Sequence, residues 1–510
     1  MLSGLLELHR RCCAAVGSGS APPVVTVAVS GGVDSAVCLS LLRLLQHHFH
    51  FQQQRGLGLP FFEVHRGGIR WEIRGAVLRS NPGEYILRPP TPPPFLLRAV
   101  HMRNWSADAE DGVATEKLRR SNNRREALRS SLDCLDRQEG DARELCRNLG
   151  IDLQIVDCSE AYWSRCFLPM LDSMCQRGLP LNPDVLCNTE VKFGQLLGIL
   201  DSSTTFLATG HYAATRWVAS RDTPLLCSPR GIEEASDSLN DQTYFLSQLV
   251  GSPKLCRALF PLGEMFRSKE EVRAFAREID GGVILPQVAG KPTSTGLCFV
   301  GRRRWIEFAS QYLPLEGNER ERVRWCDDRG IEMTLEHAQS VVVGGVCYSQ
   351  ADQPLLLKTL TIGQKICFVI TKSVIVFYVF AKDLSQRVVF IVPKADVERC
   401  NRVLMHTSCE VDGLVLDPYL WEGKEIPNRG PLGEFPMEVC VRHQLPYVAV
   451  SLSIIEGDSK GKGIVKFKAP VRAVTPQQVA VFRRQDPETK HFVCIGSGTI
   501  SHAWGAHVNR

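Results

Sequence analysis

Val24 to Val29 is a short β-branched run, the pattern of a parallel strand buried on both faces. It enters Ser30-Gly31-Gly32-Val33-Asp34-Ser35, and Ala36 to Leu45 then carries apolar residues at helical spacing. Strand, glycine turn and helix in that order open an α/β nucleotide-binding domain. Phe95 to Met102 predicts the second strand and Asp152 to Val156 another. Phe206 to His211 predicts a further apolar strand that ends in a glycine turn. Residues 46–94 interrupt the pattern: Gln52-Gln53-Gln54 and the proline run Arg88 to Pro94 cannot be regular helix, which predicts an insertion looping out between first helix and second strand. Asp108 to Arg143 reads as a surface helix with a solvated face.

From Val374 the texture changes. Val374–Phe380, Val388–Val392, Cys409–Leu416, Met437–Val441, Val448–Ile454, Ile464–Phe467, Val479–Phe482 and Phe492–Ile495 are short β-rich runs separated by turn residues, with no helix expected between them. That pattern predicts a small all-β barrel or sandwich. At roughly 150 residues per domain the length suggests about three domains. The expected division is a terminal segment 1–23, an α/β domain 24–305, a small mixed central domain 306–372 and a C-terminal β-barrel 373–510.

Composition narrows the classes without choosing one. Apolar residues make up 44% and charged residues 23%, as in ordinary soluble globular chains, and a net charge of +5 is too mild to diagnose a nucleic-acid binder. The longest apolar candidate, Ile366 to Ala381, is cut by Lys372, so no membrane-spanning helix is expected. The 19 cysteines are an odd number in a long chain and contain no C-x-x-C pair, which excludes small disulfide scaffolds, zinc ribbons and thioredoxin-type motifs. Most of these thiols are expected to be reduced and buried. Met1 to Pro23 is basic and has Glu7 as its one acid. That suits an organellar transit peptide, and a frayed soluble terminus equally.

Three stretches carry chemistry. Ser30 to Ser35 would present successive N–H groups and hydroxyls to an anion at a helix N-terminus. Without a G-K-[ST] ending it is no Walker A loop. It fits a pyrophosphate cradle of enzymes that split ATP into AMP and pyrophosphate, or else a plain strand-to-helix turn. In Asn182-Pro183-Asp184-Val185-Leu186-Cys187-Asn188 the proline and its polar neighbours set a turn that would hold Cys187 at the mouth of a following helix, where a thiolate is stabilised. A buried structural cysteine is the alternative. Ser294 to Gly301 places a second cysteine, Cys298, in a glycine-bracketed turn before Arg302-Arg303-Arg304-Trp305, which could touch phosphates or form a solvated face.

Taken in order, these segments resemble the tRNA-specific 2-thiouridylases, bacterial and mitochondrial enzymes that replace the C2 oxygen of the wobble uridine with sulfur. The resemblance rests on Ala28 to Ser35, Met102-Arg103-Asn104-Trp105, Ala161-Tyr162-Trp163, Asn182 to Phe193, Ala208 to Ala213, Asp241 to Leu246, Phe260-Pro261-Leu262-Gly263-Glu264, Ser294 to Gly301, Thr361-Ile362-Gly363-Gln364-Lys365 and Arg472-Ala473-Val474-Thr475-Pro476. It implies an α/β domain of the adenine nucleotide alpha hydrolase-like (PP-loop) type, a central domain and a C-terminal barrel. It further implies that Ala28, Val29, Ser30, Gly31, Gly32, Val33, Asp34, Ser35, Met102 and Gly210 bind ATP, with Mg2+ on the phosphates. Asn182, Pro183 and Asp184 would receive the flipped-out base. His211, Asn240, Asp241, Gln242, Arg442 and Gln478 would contact tRNA.

The same resemblance makes Cys187 and Cys298 the sulfur-handling pair. A uracil C2 oxygen leaves poorly, so ATP would adenylate it. A persulfide on Cys298, supplied by a donor protein, would provide sulfur directly or as sulfide released by Cys187, leaving a Cys187–Cys298 disulfide for a reductant to clear. Asp184 would serve as acid or base. Departures from the family pattern are the 46–94 insertion, Thr293 where an acid is common, a register ambiguity of one residue around Val441-Arg442-His443-Gln444, and Gln477 in place of the usual glycine. The alternatives are an AMP-forming ligase or amidotransferase of the same loop class, a non-catalytic RNA-binding protein retaining the fold, and an iron–sulfur cluster held by Asp184, Cys187 and Cys298. Cysteine usage and the basic N-terminus point to mitochondria, with the cytoplasm as the alternative, and no membrane partner is expected.

Overall fold

In the computed structural model, which describes residues 4–55, 92–105, 122–200, 204–218, 221–229, 241–278, 286–291, 305–309, 312–313, 322–333, 338–370, 373–417, 430–431, 436–455, 461–486 and 489–505, the first β-branched run forms strand β1 (Val24–Ala28). With it stand β2 (Leu96–Arg103), β3 (Leu153–Asp157), β4 (Thr204–Ala208), two short strands β5 (Ala214–Arg216) and β6 (Leu225–Cys227), and β7 (Ala258–Leu259). Five of these make a parallel sheet in the order β3-β2-β1-β4-β7. The order reverses at β1, so a crevice opens beyond the carboxyl ends of β1 and β4.

Helices cover this sheet: α1 (Gly4–Ser18), α2 (Val33–Arg55), α3 (Asn122–Leu149), a run α4 over 159–177, a run α5 over 183–199, and α6 (Lys269–Glu278). The helix expected from Ala36 onward is α2, which buries Val37, Leu41 and Leu45 in the sheet's core. Residues 4–18, read from composition as a transit peptide or a frayed terminus, form a docked helix. Leu5, Leu8, Cys12 and Ala15 lie along one buried face of α1. The leading N–H groups of Gly4 and Leu5 donate to the buried Glu264 carboxylate at 3.1 and 3.0 Å, an anion at the positive end of the helix dipole.

The middle unit is a sheet in the order β10-β9-β11-β12-β13-β8, built from β8 (Arg324–Cys326), β9 (Ala338–Val343), β10 (Val346–Tyr348), β11 (Lys365–Ile370), β12 (Ser373–Asp383) and β13 (Val388–Pro393), with α7 (Gln353–Thr359) between β10 and β11. β11 and β12 are paired from Lys365↔Tyr378 to Ile370↔Ser373. The boundary expected at 372/373 therefore falls inside a hairpin, and the middle unit extends to Pro393. A run of β-rich segments records strands but not which sheet they join. A helix not expected there, α8 (Val397–Leu404), follows. The Asp396 side chain accepts from the Arg399 N–H at 3.0 Å and caps it.

The remaining strands are β14 (Met405–Leu416), β15 (Gly430–Pro431), β16 (Met437–Cys440), β17 (Val448–Ile455), β18 (Lys462–Arg472), β19 (Val479–Gln485) and β20 (Phe492–Gly505). Six of them close a barrel in the order β14-β18-β17-β16-β19-β20, with β20 pairing back onto β14. β6 adds to β20 through Val493↔Cys227 and Cys494↔Leu226, and β5 adds to β6. Two strands from the first half of the chain thus extend the barrel's sheet. Buried ion pairs reinforce the seam: Arg221 grips Asp417 through two hydrogen bonds of 2.6 and 2.9 Å, and Arg216 meets Asp486 at 2.5 Å. Among the described residues no helix is long and apolar enough to cross a membrane.

Burial alone would raise the Asp486 carboxyl, but hydrogen bonds from Arg216 and the Thr489 N–H outweigh it and hold the group at about 2. A carboxyl depressed on folding stabilises the fold fully above its unfolded value near 4, and the contribution fades as pH falls toward 2. Asp486→Asn is expected to cost about 3 kcal/mol at pH 7, the lower end for a buried pair that loses one partner. In thermal melts the difference from the unaltered protein should shrink steadily between pH 4 and pH 2; a difference independent of pH would contradict this.

Candidate nucleotide and sulfur site

The chain leaves β1 at Ala28 and is held over β2: the Val29 N–H donates to Val100 O at 2.8 Å, and Val29 O accepts from His101 Nδ1 at 2.7 Å. Burial holds the His101 pKa below its usual value. The turn that follows closes on itself. Ser35 Oγ accepts from the Ser30 N–H at 3.1 Å and donates to Gly32 O at 3.0 Å, so the Ser30 hydroxyl, 3.1 Å away, donates to it. Gly31 has φ +73°, and a Cβ there would lie 2.1 Å from the Gln138 carbonyl oxygen of α3. Gly210, just past β4, lies so close to the turn that a Cβ would come within 2.9 Å of the Asp34 carbonyl carbon and 3.0 Å of the Ser35 nitrogen. The exits of β1 and β4 therefore meet at the first turn of α2, whose leading N–H groups have no partner inside the helix.

Two lysines that the sequence reading did not place here join this turn. Lys291 Nζ donates to Gly31 O at 2.7 Å and pairs with Asp141, while Lys269 Nζ stands 3.3 Å from Asp34, whose other oxygen accepts from the Tyr212 hydroxyl at 2.8 Å. A cradle of backbone amides where a Cβ would intrude, with cations beside it, fits a polyphosphate. Met102, near the end of β2, is 5% exposed and packs into the same apolar cluster as Cys187.

The Asn182 side chain caps the run α5, accepting from the N–H groups of Asp184 at 3.1 Å and Val185 at 3.4 Å, and Pro183 takes the first helical position. Cys187 follows a turn later, where the helix widens into π-type geometry over Cys187–Leu196. The sequence placed it at the helix mouth; one turn in, the dipole's help is weaker. A different donor takes over. Asn104 Nδ2 points at Cys187 Sγ at 3.5 Å, and among the described residues its buried Oδ1 has no hydrogen-bond partner. Asn104 belongs to a motif already singled out, yet nothing in its spacing revealed this contact, because 83 residues separate the pair. It brings Cys187 to the carboxyl edge of β2, next to β1 and its turn.

The α5 run also reaches the exit of β4. Lys192 Nζ donates to Asn188 Oδ1 at 2.8 Å and to His211 Nε2 at 3.5 Å. A lysine can only donate, so His211 carries its proton on Nδ1 and gives it to Thr209 Oγ1 at 2.8 Å. Burial and the Lys192 cation hold the His211 pKa well below its usual value. Gln242 exchanges two hydrogen bonds with the backbone of Tyr212. Asp241 is 4% exposed and accepts from Ser228, from the Thr243 N–H and from the Thr243 hydroxyl.

The barrel residues lie at a junction of all three units. Arg442 Nη2 donates to Ile362 O at 3.1 Å in the middle unit and to Thr475 Oγ1 at 2.5 Å in the barrel; burial lowers its pKa. Gln478 Nε2 donates to Pro180 O at 3.1 Å, just before the α5 cap. Cys298 and Asn240 lie outside the described residues. Among the described residues no three His, Cys, Asp or Glu side chains gather as a metal site, and no disulfide joins the cysteines.

Comparison with known proteins agrees with this geometry. Residues 97–302 match the family model described as tRNA methyl transferase HUP domain, and residues 411–500 match the aminomethyltransferase beta-barrel domain. The chain is 31% identical over 402 residues, 79% of its length and 87% of the relative's, to tRNA-specific 2-thiouridylase MnmA 1 of Geobacillus kaustophilus. It is 30% identical over 420 residues, 80% of its length and 88% of the relative's, to tRNA-specific 2-thiouridylase MnmA of Lacticaseibacillus paracasei. The namesake from Geobacillus thermodenitrificans is 29% identical over 406 residues, 79% of this chain and 88% of that one.

A hydrogen bond to a charged acceptor contributes about 1.5–3 kcal/mol, or roughly one to two pH units in a titration. Asn104→Ala should therefore raise by about one unit the pH at which Cys187 reacts half-maximally with iodoacetamide. An unmoved midpoint would show that the amide does not stabilise the thiolate.

Proposed function

The chain belongs to the tRNA-specific 2-thiouridylase family, and on that premise we propose that it replaces the C2 oxygen of the wobble uridine of tRNA with sulfur, consuming ATP. The observation that carries this reading is the Asn104–Cys187 contact, which seats a cysteine at the same sheet edge as the Ser30–Ser35 turn. A pyrophosphate cradle suits activation of a carbonyl oxygen, and a thiol within reach suits its replacement.

In the proposed sequence the C2 oxygen attacks the α-phosphorus of ATP and pyrophosphate leaves. Lys291, Lys269 and the leading amides of α2 neutralise the departing charge. Mg2+, where bound, would sit on the phosphates close to Asp34 and supply further charge neutralisation. The base is held by Asn182, Pro183 and Asp184, with Asp184 moving the proton. The terminal sulfur of a Cys298 persulfide then bonds to C2 and AMP departs with the original oxygen. The Cys187 thiolate attacks the Cys298 sulfur, the persulfide S–S bond breaks toward the new thiocarbonyl, and a Cys187–Cys298 disulfide remains for an external dithiol to reduce. A protein carrying a persulfide recharges Cys298. His211, Asn240, Asp241, Gln242, Arg442 and Gln478 are the proposed tRNA-facing set. We further propose a mitochondrial site of action, supported by the basic, acid-poor segment before β1, which a fluorescent fusion of residues 1–30 tests.

Purified protein given unmodified tRNA, ATP, Mg2+, a persulfide donor and a dithiol should form 2-thiouridine with one AMP and one pyrophosphate per base. Cys187→Ser and Cys298→Ser should still release pyrophosphate in the presence of tRNA but make no 2-thiouridine. Full thiolation by either variant would sink the reading.

A further inference from the structure

Between the end of α4 and the Asn182 cap, three successive carbonyls are each held by a different part of the molecule. Gly178 O accepts from Lys382 Nζ on β12 of the middle sheet. Leu179 O accepts from Ser173 Oγ on α4 at 2.7 Å. Pro180 O accepts from Gln478 Nε2 in the barrel, at 3.1 Å. The α5 run that carries Cys187 begins directly after this strap.

Lys382 is the unusual member. Its ammonium also donates to Leu357 O, at 2.8 Å, and to Leu360 O, the trailing carbonyls of α7. Three donors thus meet three carbonyls, two from the end of α7 and one from the residue that ends α4. Helix ends leave such carbonyls without partners and bear the negative end of the dipole, so a single side chain serves both helices, although burial lowers the Lys382 pKa to about 7. An apolar side chain of the same length would strand all three acceptors. Because the strap ends only two residues before the cap, a shift of the middle sheet or the barrel is carried into α5. A displacement of about 1 Å at a reacting atom can cost about a hundredfold in rate.

We propose that Lys382 is a positioning residue for Cys187: with Ser173 and Gln478 it clamps the 178–180 strap, so that the seating of the middle sheet and the barrel against the α/β domain sets where the sulfur-handling thiol stands. This rests on the thiolation reading above. The barrel that would engage tRNA and the sheet that bears Lys382 then act on Cys187 through backbone, without touching the substrate base.

The test compares Lys382→Met, which keeps the stem and removes the donors, and Ser173→Ala, which removes a single oxygen, in the full-length protein. For Lys382→Met, kcat for thiolation should fall at least about tenfold, while tRNA affinity by filter binding stays within about twofold. In the unaltered protein the alkylation rate of the buried Cys187 should change when tRNA is added, and in Lys382→Met that change should disappear. Ser173→Ala should show the same split to a smaller degree, and it decides the matter if Lys382→Met does not fold. An unchanged kcat in a folded variant, or kcat and tRNA affinity falling together, would overturn the proposal. Absence of thiolation by the unaltered protein would instead overturn the functional reading, with the alkylation response still reporting on the strap.

Discussion

Because β2 and β4 flank β1 on opposite sides, the chain leaving β1 must turn over a gap between strand ends, and its polar backbone cannot be satisfied by the sheet. That constraint organises the site. The Ser30–Ser35 turn closes over the gap through its own hydroxyls, Gly210 comes in from the β4 side, and Asn104 extends from β2 toward Cys187. Nucleotide cradle and thiol are drawn to one sheet edge because the turn follows β1 and Asn104, just past the adjacent β2, holds Cys187 of α5. Residues far apart in sequence need no other device to meet.

What was legible in the sequence was local. The β1 strand, its glycine turn and the start of α2 occupy a single short stretch, and each residue type there has one structural job. The barrel strands were legible because turn residues punctuate them. The boundary at 372/373 was not, since Ser373–Asp383 has the same β-rich texture whichever sheet it joins, and only pairing with Lys365–Ile370 reveals which. Leu5, Leu8, Cys12 and Ala15 had helical spacing, but the basic residues among them suggested a leader; Glu264, on a distant helix, is what seats that helix. Lys269, Lys291, Asn104 and Lys382 were invisible for the same reason, as their partners lie tens to hundreds of residues away. Gln477 is a different case. It stands where the resemblance implied glycine, and the backbone takes φ +71° there, a conformation costing about 1–2 kcal/mol for a residue with a Cβ.

The three units are not beads on a string. β5 and β6 leave the α/β domain to extend the barrel's sheet, Arg221 and Asp417 join the two with both side chains largely buried, and Arg442 spans from barrel to middle sheet. Mutations at these seams should behave as core mutations even where the residues look like surface charges in sequence. The strap before Asn182 is where this rigidity reaches the chemistry, since it is gripped from the middle sheet, from α4 and from the barrel.

In the proposed reaction ATP activates the very oxygen that sulfur displaces. Transfer RNA carrying heavy oxygen at C2 of the wobble uridine tests it in one turnover, read by mass spectrometry of the nucleotides released. The label should appear in the phosphate of AMP, one atom per 2-thiouridine formed, and none in pyrophosphate. Label recovered in water or in pyrophosphate, with AMP unlabelled, would contradict it.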